Sequence, residues 1–298
     1  MATLKEIQEA EVEELPVRTR VEAFFKGTDA IRLFAEEVMI PVLQGQLRLN
    51  DHERAVTGTY YRMYLYVQSL VKLNSRIHFQ AAASAARTTF ELLLDLKLLA
   101  EDTADSMPMT EKFHAFTEMD RFRVATQVVE YKNANPGSKI EDVHQRSLAT
   151  KQGKQEAIDL LARKNWGNTK AGKPQKPKHW SGFNVKERAV RFGSKYEELY
   201  IESYPLLSWS VHAGPGSYAG LDENEIELCF GLSHSISQRC FLEATAITAE
   251  IMRINHAVEG FNDILESLRL VPGRVIVKEQ ARIIDEERIK NSSKENKP

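Results

Sequence analysis

The sequence predicts an all-α fold, a multi-helix bundle. Apolar residues recur at three- and four-residue spacing along almost every segment, and no stretch alternates apolar and polar residues convincingly enough to read as a strand. Breaks such as Pro136–Gly137 and Gly193–Ser194 separate the periodic segments.

Taken in order, the periodicity predicts helices over 3–15, 19–47, 51–75, 78–102, 109–133, 139–164, 185–212, 224–269 and 278–292. Asp51 is the expected N-cap of the third. Its T-Y-Y-R-M-Y-L-Y run (59–66) suits core or dimer packing. The fourth opens on a small-residue run from Ala81 to Ala86, which lets another helix approach closely. Thr110 is the expected N-cap of the fifth, whose apolar face opens with Phe113 and Phe116. Pro205 falls inside 185–212, so that helix is expected to kink or restart there. Gly231 or Gly260 is expected to interrupt the long 224–269 pattern. The expected organisation is an N-terminal helical extension over 1–50 and a bundle over 51–270 carrying a basic loop at 165–183. A C-terminal helix with a disordered tail follows over 271–298.

Composition narrows the function classes. With 42% hydrophobic and 28% charged residues the chain is ordinary for a globular protein, and a net charge of −2 gives it no general attraction for nucleic acid or membrane. Any such role needs a local patch. The N-terminus has neither a basic region nor an apolar run of the signal-peptide kind, and L-L-L-D-L-K-L-L-A is broken by charges before it could span a membrane. Cys229 and Cys240, on one helix, would stand roughly 16 Å apart, too far for a disulfide. The expectation is a reduced, cytoplasmic protein without membrane contact or cofactor.

The most informative segment is S-K-Y-E-E-L-Y-I-E-S-Y-P-L-L-S-W-S-V-H-A-G-P-G, residues 194–216. Tyr196, Tyr200, Tyr204, Ser208 and His212 recur every fourth residue, one polar-aromatic stripe on a helix. Gly214 and Pro215 follow, which places His212 in the last turn, beside orphan carbonyls and the negative end of the helix dipole. That position suits an acid, a base or a phosphate contact. It equally suits an imidazole that merely satisfies carbonyls. On the helix around residue 90, Arg87, Glu91 and Asp95 share one face. They read either as a surface ion pair or as an arginine held by Glu91 and aimed at a phosphate or at His212.

The A-R-T-T-F-E segment, a tryptophan followed by a K-E-R-A helix, and Y-x3-Y-x3-S-x3-H with a terminal Ala-Gly together resemble an uncharacterised family of bacterial helical proteins. That family lies near the HEPN superfamily of helical RNA-binding and RNA-cleaving domains. The resemblance covers about 75–230. It implies a helical bundle, often a homodimer, acting with RNA or a partner protein in toxin–antitoxin or antiphage-defence systems. Metal-independent nucleases of that superfamily pair an arginine and a histidine as R-x4–6-H. Here Leu207 stands five residues before His212, so the intramotif arginine is missing. Arg87 is the replacement, with Glu91, Tyr204 and Ser208 completing the candidate catalytic set. Metal-free RNA cleavage needs a base, an acid and a cation for the phosphorane charge. His212 suits either proton role and Arg87 the third. The alternative is a non-catalytic helical interaction module whose tyrosine stripe and Arg87–Glu91 pair are buried specificity features.

Residues 163–191 carry nine Lys or Arg against one acid, Glu187. Trp166 and Trp180 interleave Lys170, Lys173, Lys176 and Lys178, and Arg188 and Arg191 follow. This suits phosphate contacts with stacking on unpaired bases. It also describes a mobile, solvated loop anchored only by its tryptophans. Two E-x-x-H spacings, Glu111–His114 and Glu141–His144, lack the neighbours of a bundle metal centre, and no metal site is expected.

Overall fold

The computed structural model describes residues 17–46, 48–73, 75–211 and 223–254. Among them every regular element is helical: α1 (Val17–Phe34), a π-helical turn (Ala35–Met39), α2 (Ile40–Gln44), α3 (Asp51–Lys72), α4 (Phe79–Leu99), α5 (Pro108–Ala134), α6 (Glu141–Lys151), α7 (Gln155–Trp166), α8 (Val185–Arg191), α9 (Ser194–Val211) and α10 (Glu223–Ile251). The helices expected over 3–15 and 278–292, and the far end of 224–269, lie outside the described residues.

The chain divides into two compact units. The first holds residues up to Ala100 and from Phe192 onward; the second spans Glu101–Arg191. In the first unit α4 packs against α3, α9 and α10. Its sequence explains why. Ala82, Ala83, Ala85 and Ala86 are all buried, and small side chains let neighbouring backbones come close. Phe90, Leu92, Leu93, Leu94, Leu96, Leu98 and Leu99 then bury nearly the whole circumference, the pattern of a helix with neighbours on every side. Helix α1 packs on α3 and α10, so residues read as an N-terminal extension are built into this unit. Tyr60 of the aromatic run is fully buried, stacked on Phe241 at 5.0 Å with its hydroxyl 3.1 Å from Thr245.

Several expected boundaries shift for local reasons. Asn50, one residue before Asp51, is the cap of α3: its side chain accepts from Glu53 N at 2.9 Å while Glu53 accepts from Asn50 N, a reciprocal capping box. Thr110 is no cap either. Helix α5 starts two residues earlier at Pro108, and the Asp102 carboxylate accepts from the amides of Met109 and Thr110 at 2.9 and 2.7 Å. The expected helix 139–164 is two helices, separated where Gly153 adopts φ +68°, a conformation that only glycine enters freely. The break expected at Gly193 does divide 185–212, into α8 and α9, and no second break falls at Pro205. Helix α9 runs through Pro205, which leaves the Ile201 carbonyl without its helical donor. Ile201 is 59% exposed, on the side of the helix where water can replace that bond. Gly231 lies inside α10 without interrupting it; α10 stops at Ile251, and Arg253 follows with φ 54°.

In the second unit α5 packs against α6 and α7, with Met119, Phe122, Ile158 and Ala162 as its core. The segment after α7 is not a slack loop held only at its tryptophans. Thr169 N donates to Lys173 O at 2.8 Å, Gly172 N to Thr169 O at 2.9 Å, and Gln175 N to Gly167 O at 3.0 Å, closing a short turn. Gly167 and Gly172 supply the positive φ values this turn requires.

One buried group makes the first unit acid-sensitive. His234 on α10 is 0% exposed, between the rings of Phe25 and Phe230. Its Nδ1 meets Thr28 Oγ1 at 2.8 Å, Gln238 donates to the same oxygen at 3.0 Å, and its Nε2 has no hydrogen-bond partner among the described residues. Burial pushes its pKa down to about 4. Above the ordinary value of about 6.5 both folded and unfolded states hold neutral histidine. As pH falls from there the unfolded state protonates first, so stability declines until about pH 4 and then levels. Urea unfolding of wild type between pH 7 and 4 should therefore lose about 3 kcal/mol more than that of His234→Gln. Parallel curves for the two proteins would contradict this.

Candidate functional site

Helices α4 and α9 lie together so that the tyrosine stripe of one meets the charged face of the other. Tyr204 donates to Glu91 Oε1 at 2.8 Å, and Arg87 Nε lies 3.0 Å from both Glu91 Oε1 and the Tyr204 oxygen. The three groups close a triangle, with the guanidinium carbon 5.0 Å from the centre of the Tyr204 ring. Tyr200 stacks on Tyr204 at 5.0 Å, and Phe90 supports it from α4. The structure thus brings together Arg87, Glu91 and Tyr204 of the expected catalytic set. Ser208, one turn further on, has a buried hydroxyl without a hydrogen-bond partner among the described residues. His212 lies outside the described residues.

The chemistry of this triangle is set by its environment. Burial alone would ease the proton from Arg87, but the Glu91 hydrogen bond and the neighbouring Tyr204 overcome it and raise the pKa further. Burial and then the Glu91 carboxylate push Tyr204 up to about 12. Neither group exchanges a proton near neutral pH. The triangle offers a permanent cation and an oriented hydroxyl, an arrangement for holding an anion or joining two helices rather than for acid–base catalysis.

The sequence showed no sign of a second polar cluster near the start of α9. Glu243 of α10 receives Lys97 at 3.2 Å, Lys195 at 3.1 Å and the Tyr196 hydroxyl. Lys97 also lies 4.5 Å from the Tyr196 ring centre. Burial would raise the Glu243 pKa, yet the Tyr196 hydroxyl and the two ammonium groups hold it below the usual carboxylate range. Tyr196 is the expected first member of the stripe. Its partner Glu243 is 47 residues away and carries no spacing signal.

In the second unit the basic segment divides. Lys170, Lys173, Lys176 and Lys178 are exposed and form no ion pair among the described residues. Four other expected contacts need correction. Arg188 is 1% exposed, so its guanidinium cannot meet a phosphate. Arg191 is spent on Glu101, with bonds of 2.9 and 2.8 Å. Trp180 is 4% exposed, edge-on to Phe113, and cannot stack on a base. Trp166 is half-buried against Phe116 and donates to Trp180 O at 3.0 Å. The tryptophans hold the segment to the helices because their rings carry the apolar area that the segment otherwise lacks. Glu187, the lone acid, caps α8 in a reciprocal pair with Asn184.

The two E-x-x-H glutamates are engaged by lysines, Glu111 by Lys164 at 2.7 Å and Glu141 by Lys132 at 3.2 Å, with His144 further off at 3.9 Å. No group of three or more His, Cys, Asp or Glu among the described residues is placed to hold a metal. No described helix is long and apolar enough to cross a membrane.

Residues 53–227 match the model of a family of unknown function, DUF5677. The chain belongs to that family. The match runs from α3 through α9 and the start of α10, so it includes both the triangle and the basic segment. No curated protein and no solved structure matches the chain.

The triangle can be tested spectroscopically. Tyrosinate absorbance should show one tyrosine titrating near pH 12, and Glu91→Gln should return it towards the ordinary value of about 10. A double-mutant cycle on Glu91→Gln and Tyr204→Phe should give a coupling of about 1 kcal/mol. Strict additivity would mean that the pairing contributes nothing.

Proposed function

We propose that this protein binds RNA through the lysine face of its second unit. The observation that carries the reading is the folded turn bearing Lys170 and Lys173, followed at once by Lys176 and Lys178, four exposed cations with no carboxylate paired to them among the described residues. Strand phosphates are attracted to such a face irrespective of sequence, with release of condensed counterions. The net charge of −2 gives the chain no general attraction of this kind, so binding depends on a local patch.

The finer form of the proposal is a HEPN-like, cytoplasmic protein, homodimeric and serving a toxin or antiphage-defence system as a metal-independent endoribonuclease. Arg87, held as a half-buried cation by Glu91 and Tyr204, supports this form as a stabiliser of phosphorane charge. Since Arg87 and Tyr204 keep their protons at neutral pH, proton transfer in this reading belongs to His212. The non-catalytic interaction module has its own supporting observation. Arg87, Glu91 and Tyr204 satisfy one another across α4 and α9, as a specificity-giving interhelical tie does.

Two experiments test these readings. Changing Lys170, Lys173, Lys176 and Lys178 together to Gln should weaken single-stranded RNA binding similarly for all sequences. It should flatten the salt dependence by about 0.7 for each phosphate that is no longer neutralised. Thermal stability should barely change, because exposed lysines contribute little to folding. Unchanged affinity and slope would leave the lysines as solvated surface. For the nuclease form, RNA cleavage persisting in EDTA should fall by about 100-fold or more in Arg87→Lys and be abolished in His212→Ala. Cleavage that survives both substitutions would exclude it, and absence of cleavage by folded wild type would favour the interaction module.

A further inference from the structure

The second unit contains a cavity of about 570 Å³ between α5, α7 and the Lys176–Lys178 stretch. Its volume falls within the range of small-molecule sites. Met119, Phe122 and Ile158 form an apolar floor, and Phe116 stands at its side, half-buried, its ring roughly perpendicular to that of Trp166. Thr126 and the exposed Gln127 line the wall. Lys176 and Lys178 stand along one side, flanking Pro177. The acidic residues do not cancel this charge: Asp120 is engaged by Arg123 at 2.7 Å, which leaves Glu130 as the remaining carboxylate of the lining.

We infer that this cavity binds one unpaired nucleotide, its base against Phe116 and its phosphate between Lys176 and Lys178. The inference deepens the RNA-binding reading and rests on it for the nature of the ligand. The chemistry matches group by group. A base is a flat apolar surface with polar edges, which suits an aromatic wall together with a side-chain amide. The attached phosphate needs cations within one nucleotide's reach, and the two lysines border the same cavity. Burial of Trp180 removes the stacking platform expected from the sequence, and Phe116 takes that role. Free mononucleotide and a nucleotide within a strand share this chemistry.

Calorimetry on the full chain separates these cases, with adenosine 5′-monophosphate, adenosine, inorganic phosphate and a single-stranded oligoribonucleotide as probes. The monophosphate should bind at least tenfold more tightly than adenosine or inorganic phosphate alone. Phe116→Leu, which keeps the apolar wall but removes the stacking face, should weaken it by about fivefold or more. Lys176→Gln with Lys178→Gln, both exposed and harmless to folding, should weaken the monophosphate far more than adenosine. No measurable binding of the monophosphate, or binding unaffected by both variants, overturns the inference. If wild type binds the oligonucleotide but not the monophosphate, the cavity assignment falls and the RNA reading stands. If it binds the monophosphate but not the oligonucleotide, the cavity stands as a mononucleotide site and the RNA reading falls.

Discussion

The burial of α4 on all sides is the constraint from which the first unit follows. A helix whose alanines and leucines are both sequestered must be surrounded, and α3, α9 and α10 surround it. The alanine run at its N-terminal half decides how near those neighbours come. Each fully buried leucine or phenylalanine contributes about 2 kcal/mol of transfer free energy, so the six leucines of α4 dominate the local energetics. Arg87 and Glu91 occupy the part of α4 left for a polar partner, and the stripe of α9 supplies it. The polar triangle is thus positioned by an apolar constraint.

The polar contacts of this unit have a different role. Desolvated ionic groups cost free energy unless they are paired and hydrogen-bonded. Glu243 illustrates the requirement: a nearly buried carboxylate keeps its charge because Tyr196, Lys195 and Lys97 converge on it. Such clusters add little net stability compared with an apolar replacement, but they penalise a slipped register of α9 on α4 and α10. Tyr196 and Tyr204, two turns apart, are each tied to a carboxylate on a different helix, which fixes both the rotation and the height of α9.

The second unit shows how a basic composition is sorted by folding. Of the cations between 163 and 191, Lys164 pairs with Glu111, Arg191 with Glu101, and Arg188 is buried. Those left on the surface around the turn are lysines, whose flexible stems keep a strongly hydrated charge in water. The turn is ordered by its backbone hydrogen bonds and by glycines at positive φ, while Trp166 and Trp180 join it to the helices. Surface charge and anchoring therefore fall to different residue types within one short segment.

The amino-acid sequence by itself determined the helical class, most helix positions, and the stripe from Tyr196 to Tyr204, because helical periodicity is a local property of the chain. It also determined the Arg87–Glu91 pair, since spacing alone places those side chains together. Tertiary structure decided what the stripe touches. Glu243 reaches Tyr196 from another helix, and nothing in either local pattern encodes that pairing. It decided the burial of His234, which stands in a run of serines and a glutamine that reads as surface until α1 covers it with Thr28. It decided too that Arg188 and Trp180 turn inward while four lysines stay in water. Composition counts charges and rings, but exposure depends on which neighbours the fold sets beside them.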